Sequence, residues 1–293
     1  MKVVLAGGTG SLGRRVADHL AAGGHDIVIL TRSPRPDIVY RQVRWDERWM
    51  PELQDAVLMN LAGELVDRRP TPRNIELLRR SRVEPTRALV DASQTYRPRL
   101  WLQMSTLAIY GDGGDALLDE RARVATTPPQ MAGVATAWEA AADGAGADRL
   151  VVLRTGVVLD RDTPALDRLE GLTRWGLGGR IGNGRQWVSW LHADDFLAAL
   201  DFVIAHHDVR GVVHVTSPEP VRNADMMRTL RRVLHRPWSP PTPTPLVRLG
   251  AFVLRTDPAL ALIGRRAVPA KLLAAGFAFS HPDFEGALRD LVA

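Results

Sequence analysis

The sequence predicts an α/β protein built on a doubly wound parallel sheet, and three observations predict it. Short apolar runs alternate with stretches of helical spacing. The crossovers between runs are longer than about ten residues, which suits helices and not hairpins. The first run ends in glycines that lead straight into a helical pattern. Right-handed crossovers in such a sheet bring the strand C-termini to one edge, where ligands bind.

Met1–Ala6 reads as a buried strand, and Ser11–Ala22 as a helix through Leu12, Val16, Ala17 and Leu20. Asp26–Leu30, Val39–Val43 and Ala56–Leu61 read as strands two to four. A long helical stretch covers 72–96, with Pro85 as a kink. Leu100–Ser105 and Leu150–Thr155 are strands on either side of a helix at Gln130–Ala142. After Thr155 the pattern loosens into the loop WGLGGRIGNGRQW. Helix Ala193–Ala205, strand Val212–Thr216 and helix Asn223–Leu234 follow, with Asn223 as N-cap. A stiff RPWSPPTPTP connector leads to helices at Leu246–Leu254, Pro269–Ala275 and Asp283–Leu291. The expected division is a nucleotide-binding domain over 1–236, with substrate-loop insertions at about 156–192, and a small α-rich subdomain over 237–293.

The chain has 293 residues, 45% of them hydrophobic and 24% charged, ample for a globular core. No run has the roughly 20 apolar residues of a membrane span, and the N-terminus enters a strand without a signal-peptide pattern. Cysteine is absent, which excludes disulfides, thiolate metal sites and a cysteine nucleophile and points to the cytoplasm. The net charge is +5, carried by arginines apart from Lys2 and Lys271. The arginines are scattered and no nucleic-acid motif accompanies them, so the balance favours small anionic ligands over nucleic acid. No His/Asp/Glu group has metal-ligand spacing, and no metal is expected.

GGTGSLG sits between the first strand and the first helix. Gly7 permits the tight turn, Gly10 lets backbone approach a pyrophosphate, and Gly13 lets helix and strand pack closely. The helix N-terminus adds free N–H groups and a positive dipole. A carboxylate at the end of the second strand would select NAD through the ribose hydroxyl. The sequence there is LTRSPRP, with Arg32 and Ser33 and no carboxylate before Asp37. A guanidinium suits the additional phosphate of NADP, which is the expected cofactor.

GGTGSLG, Asn60-Leu-Ala-Gly63, MSTLAIYG at 104–111 and WLHADD at 190–195 resemble the extended short-chain dehydrogenase/reductases, the NAD-dependent epimerase/dehydratases. More narrowly, NLAGE, SRVEPTRALVDA, WEAAA, RTGVVL, GNGRQWVSWLHADD, PVRNADMMRTLRRVLHRP and AVPAKLLAAGFAF resemble an atypical "epimerase family" branch with a C-terminal domain of unknown function. The resemblance spans nearly the whole chain. It implies a Rossmann-type core with a smaller C-terminal substrate region. It also implies that Gly7, Gly10, Ser11, Leu12 and Gly13 line the pyrophosphate, and that Arg32 and Ser33 meet the 2′-phosphate. By the same resemblance Asp46 takes the adenine amino group, and Leu61, Ala62 and Gly63 pass along the ribose. Gly156 and Val157 lie near the carboxamide, and Thr106 holds the substrate. By analogy, helices 72–96 and 130–142 pair across a homodimer.

The resemblance also sets up an absence. Such enzymes carry a tyrosine, which protonates the substrate oxygen, and a lysine four residues on, which lowers the tyrosine pKa and holds the ribose. Counting back from Trp138-Glu139 and forward from Tyr110 gives Met131 and Ala135 at those positions. None of Tyr40, Tyr96 and Tyr110 has a lysine four residues later. Arg82 stands where an asparagine is usual and supplies positive charge near the missing ammonium; otherwise it faces solvent or pairs with Glu84 or Asp91. Two functions compete. One is an NADP(H)-dependent oxidoreductase or epimerase-like enzyme on a small molecule with altered proton chemistry. The other is a non-catalytic NADP sensor. On the substrate side, Arg185, Gln186 and Trp187 suit a pocket for a planar molecule with a polar edge. His192 and Asp195 read as structural, with Asp194 or Asp195 at a helix start.

Overall fold

The computed structural model describes residues 1–161 and 163–292. Seven strands form one parallel sheet: β1 (Lys2–Ala6), β2 (Asp26–Thr31), β3 (Arg41–Arg44), β4 (Val57–Asn60), β5 (Leu100–Thr106), β6 (Leu150–Thr155) and β7 (Gly211–Val215). Their order is β7-β6-β5-β4-β1-β2-β3. The chain winds outward from β1 to β3 and returns to β4 beside β1, in register Ala6↔Asn60. That reversal opens a crevice at the strand C-termini between β1 and β4.

The helices are α1 (Ser11–Ala22), α2 (Pro72–Ser93), α3 (Val134–Ala140), α4 (Pro164–Arg174), α5 (Ala193–Ala205), α6 (Asn223–Val233), α7 (Thr244–Val253), α8 (Ala259–Leu262), α9 (Ala270–Ala274) and α10 (Phe284–Val292). Strand alternation builds two cores. Val3, Leu5, Ile27 and Ile29 face α1 and α5, with Val16, Leu20, Phe196 and Leu200. Val4, Ala6, Val28 and Leu30 face α2, with Leu89 and Ala92. A third cluster joins Leu159, Leu166 and Trp190 to α6 and α10 through Met226, Leu230, Phe284 and Leu288.

Three local expectations are corrected. The third strand is Arg41–Arg44, shifted toward the C-terminus, with Val39 exposed. The helix expected at Gln130–Ala142 begins as a π-helical turn over Pro129–Gly133. Asn223 is the first residue of α6, not its cap; its buried Oδ1 accepts from Ile181 N at 2.8 Å. Pro85 lies inside a single continuous α2, whose Thr71 cap accepts from Asn74 N. No helix among the described residues is long and apolar enough to cross a membrane.

Candidate nucleotide and substrate site

The glycine turn is shaped by contacts that exclude side chains. Gly7 has φ +86°, and a Cβ there would lie 2.8 Å from the Leu61 carbonyl and 2.9 Å from Ala62 N. A Cβ on Gly13 would overlap the Gly7 carbonyl oxygen and reach 2.7 Å from Gly8 Cα. Gly10 caps α1, and its N–H donates to Gly7 O at 3.2 Å. The first turn of α1 has no acidic residue and no side-chain cap. Among the described residues no backbone carbonyl accepts from the N–H groups of Ser11, Leu12 and Gly13. The turn therefore presents open donors at the positive end of a helix dipole.

Arg32 follows β2 with its side chain 80% exposed, in a 3.2 Å pair with Glu64. Such an exposed pair contributes at most about 1 kcal/mol and is readily exchanged for another anion. The Ser33 N–H donates to Thr31 Oγ1 at 3.1 Å. Asp37, the first carboxylate past β2, is held by Arg14 at 2.7 Å and by Arg35 at 3.2 Å. The Arg14 bond holds its pKa below the usual value. Asp46, beyond β3, is exposed and bonded by Arg44 through Nε and a terminal nitrogen, each at 2.8 Å.

Asn60 shapes the next segment. Its Nδ2 donates to Thr86 at 2.8 Å and Gln103 at 3.0 Å, and its Oδ1 accepts from Ala62 N at 3.2 Å. The fully buried amide thus fixes Leu61-Ala62-Gly63 against the Gly7 turn. A Cβ on Gly63 would meet the Arg82 guanidinium at 2.9 Å. Arg82 is buried, neither facing solvent nor paired with Glu84 or Asp91. Its terminal nitrogens donate to Leu78 O at 3.1 Å and Glu64 O at 2.9 Å, and it lies over the Trp138 ring at 5.1 Å. Burial pushes its pKa down to about 10, so it stays charged at neutral pH.

At the end of β5, the half-buried Thr106 accepts from Ala108 N at 3.1 Å, which leaves its hydroxyl proton free to donate elsewhere. Behind it runs a polar chain. Ser105 donates to Glu139; Arg154 donates to Glu139 at 2.8 and 2.7 Å and to the Tyr110 oxygen at 2.7 Å. The His214 Nδ1–H donates to Val268 O at 3.0 Å, so its Nε2 accepts from Tyr110 at 2.7 Å. Burial lowers the His214 pKa and raises that of Tyr110. This chain locks the rotation of α3 against β5 and β6. In that orientation Met131 and Ala135 are both buried, Ala135 against Leu107, Ile109, Tyr110 and Ala267.

Gly156 follows β6 so closely against Ser189 O that a Cβ would approach to 2.7 Å. The exposed Val157 starts a short strand, Val157–Leu159, paired with Trp190–His192. Val157 and Leu159 wall a cavity of about 170 Å³ bounded by α4, α6, α8 and α10. Gln186 lines this cavity; Arg185 and Trp187 do not. Trp187 lies outside, between Arg222 at 4.5 Å and Arg266 at 4.8 Å, and donates to Asp115 at 2.9 Å. Arg185 pairs with the same Asp115 at 3.5 Å. The Trp187 and Arg222 donors hold the Asp115 carboxyl below its usual pKa.

The α5 start is capped by His192, whose Nδ1 accepts from Asp194 N at 3.1 Å. Asp194 and Asp195 are in the first turn instead. The fully buried Asp195 accepts from Ser280 N at 2.7 Å and His281 N at 2.9 Å. His192, Asp194, His281 and Asp290 bring potential ligand atoms within 4.8 Å of one another. The cap makes Nδ1 an acceptor, so the neutral ring carries its proton on Nε2, 3.3 Å from Asp290. That buried Nε2 finds no hydrogen-bond partner among the described residues.

Residues 3–156 match the NAD dependent epimerase/dehydratase family, and 242–291 match a domain of unknown function, DUF1731. Epimerase family protein ML0860 of Mycobacterium leprae is 34% identical over 290 residues, 95% of this chain and 92% of that one. Epimerase family protein SDR39U1 of Homo sapiens is 32% identical over 303 residues, covering both chains fully. The crystal structure of its isoform 2 with NADPH has a TM-score of 0.89 at 30% identity, over 99% of each chain. A UDP-glucuronic acid 4-epimerase from Bacillus cereus, solved with UDP-glucuronic acid and NAD, shares the fold. It has 16% identity and a TM-score of 0.76, over 100% of this chain and 99% of that one. The chain belongs to the NAD dependent epimerase/dehydratase family.

Sequence reasoning did not find the positioning roles of Asn60, Glu139, Arg154 and His214. Asn60 was legible, since an amide beside a ribose-contacting loop has a loop to hold. The partners of Glu139 and His214 lie on elements distant in the chain, and no local pattern marks them.

Proposed function

We propose that the protein is an NADP(H)-dependent oxidoreductase acting on a small molecule without a tyrosine–lysine pair. The carrying observation is the side-chain-free cradle of Gly7 and Gly13, set beneath the start of α1, where Gly10 at the cap offers no side-chain acceptor. The residues present fit a dinucleotide. Ser11, Leu12 and Gly13 offer N–H groups to a pyrophosphate, and Arg32 with Ser33 offers charge and a hydroxyl to a 2′-phosphate. Asp46 retains acceptor capacity for an adenine amino group. Leu61–Gly63 follow the ribose side, with Arg82 as a fixed cation beneath, and Gly156–Val157 close the carboxamide side. The NADPH bound by the human relative supports this reading.

A bound reduced nicotinamide supplies hydride. Thr106 would donate a hydrogen bond from its free hydroxyl to the substrate oxygen and orient it. A threonine hydroxyl is too weak an acid to protonate that oxygen, and Met131 and Ala135 hold no proton. General acid help is worth roughly 10²–10⁴-fold. The site therefore suits acceptors activated by conjugation, such as enones, quinones or imines, over simple ketones.

Calorimetry and NADPH absorbance test the reading. NADPH should bind at least tenfold tighter than NADH. Arg32→Ala should weaken NADPH roughly 10–100-fold, the worth of a charge-assisted hydrogen bond, and leave NADH unchanged. Equal binding of the two cofactors overturns the assignment. Tight NADPH binding without oxidation by any enone, quinone or imine makes the protein a sensor instead.

A further inference from the structure

The cavity behind Val157 has a composition that selects its occupant. We propose that it takes an uncharged, largely apolar molecule of one ring with a hydrogen-bonding edge, and rejects nucleoside diphosphates. The proposal rests on the oxidoreductase reading only in calling this molecule the substrate. Val157 connects the cavity to the carboxamide side of the nucleotide site, since it directly follows the Gly156 turn at the end of β6.

Size comes first. At about 170 Å³ the cavity exceeds only slightly the roughly 150 Å³ that suffices for benzene in an apolar protein interior. Charge comes next. Among the described residues the lining contains no arginine, lysine, aspartate or glutamate, and its walls are side chains such as Leu159, Leu166, Met226, Leu230 and Phe284. A diphosphate entering such a space would lose its hydration without gaining a cation, which is prohibitive. The neighbouring arginines do not enter it: Arg185 and Arg222 are held outside by Asp115 at 3.5 and 2.9 Å. Trp190 brings no spare donor, because its Nε1 already donates to Glu219 O at 2.8 Å.

Two polar groups remain. Asn223 is 3% exposed and lines the cavity. Its Oδ1 is identified by the Ile181 N–H it accepts at 2.8 Å, so the other atom is the NH₂. That Nδ2 has no hydrogen-bond partner among the described residues. Gln186 is the complement. Its Nε2 donates to Ala261 O at 2.8 Å and Ile181 O at 3.2 Å, and no donor among the described residues reaches its Oε1. Asn223 is buried and Gln186 half-buried, and an open donor and an open acceptor on the wall of an apolar cavity call for a ligand with a carbonyl or hydroxyl edge.

The test uses acetophenone, one ring with one acceptor, and UDP-glucose, each titrated by calorimetry into the full-length protein with and without NADPH. Acetophenone should bind one-to-one with a submillimolar Kd, and UDP-glucose should not bind at millimolar concentration. Asn223→Asp keeps the acceptor for Ile181 N–H and removes the donor; it should weaken acetophenone at least tenfold. Leu169→Trp, at a half-buried wall position, should fill the space and abolish binding. A parallel NADPH titration reports whether each variant is folded. The proposal is overturned if wild-type protein ignores acetophenone, if UDP-glucose displaces it, or if both variants bind it as wild type does. NADPH binding without acetophenone binding sinks this proposal alone. Acetophenone binding without NADPH affinity sinks the cofactor reading and leaves the cavity assignment standing.

Discussion

Arg82 shows how much one residue can be asked to do. It is a buried cation to which no carboxylate among the described residues is bonded, held by the Leu78 and Glu64 carbonyls and the Trp138 face. A buried charge is costly, and replacing one by an apolar side chain of similar volume is often neutral or stabilising. If the guanidinium is kept for stability, Arg82→Met should lower the melting temperature and leave NADPH affinity alone. If it is kept for the nucleotide passing over Gly63, the pattern inverts. The second outcome is expected: NADPH affinity reduced about tenfold, and a melting temperature unchanged or raised. Gly63→Ala provides an independent check, because its Cβ would press on the same guanidinium at 2.9 Å. It should weaken NADPH in the same direction. Loss of thermal stability in Arg82→Met with wild-type NADPH affinity would make the residue structural.

At the scale of elements, the start of α5 is where pH acts on the fold. His192 is 1% exposed and stacked on His281 at 3.8 Å, with Asp194, Asp195 and Asp290 around it. Burial dominates and lowers its pKa, as it does for His214. An unfolded histidine titrates near about 6.5. Below that value the unfolded chain binds protons that these two folded histidines refuse, so stability is complete above it and falls as pH drops through it. The melting temperature should therefore decline between pH 7.5 and 5.5. His192→Asn keeps a capping acceptor for Asp194 N–H and removes one titration, so its decline should be shallower. A slope identical to wild type would assign the effect to His214 alone. The same element shows what sequence can tell. The span Ala193–Ala205 is legible because its apolar spacing and its breaks are local. Its cap is not, since a histidine competes with two aspartates that the fold spends elsewhere, Asp195 on a C-terminal loop. Helix α4 carried a readable signal, Thr163 followed by Pro164 and then Leu166 and Leu169, hidden by the glycine-rich stretch after it. The glycine cradle could be read directly because a turn is made by adjacent residues. The chain behind Thr106 could not, because Ser105–Glu139 and Tyr110–His214 are 34 and 104 positions apart.

For the molecule as a whole, the question is whether residues beyond 236 are an appendage. Leu272 and Phe277 lie in the same core as β1, β4 and β6, Leu272 fully buried. Phe284, Leu288 and Leu291 of α10 close the cluster around Trp190 and α6. Polar ties run alongside: Asp195 to Ser280 and His281, Ser217 to Pro282 O at 2.9 Å, and Gln130 to Asp257 at 3.0 Å. A segment that supplies side chains to the α1/α5 core and to the cluster around Trp190 should not unfold while the rest stays native. Leu272→Ala should cost about 2–5 kcal/mol, the range for emptying a buried leucine site, although it lies far along the chain from the glycine turn. The intact protein should melt in one transition by circular dichroism and by tryptophan fluorescence alike. A version ending at residue 236 should expose the α1/α5 core face, bind a hydrophobic dye and give no cooperative melt. If that shortened chain melted cooperatively and still bound NADPH, the C-terminal part would be a separate unit. The cavity behind Val157 would then form only after two independently folded pieces had met.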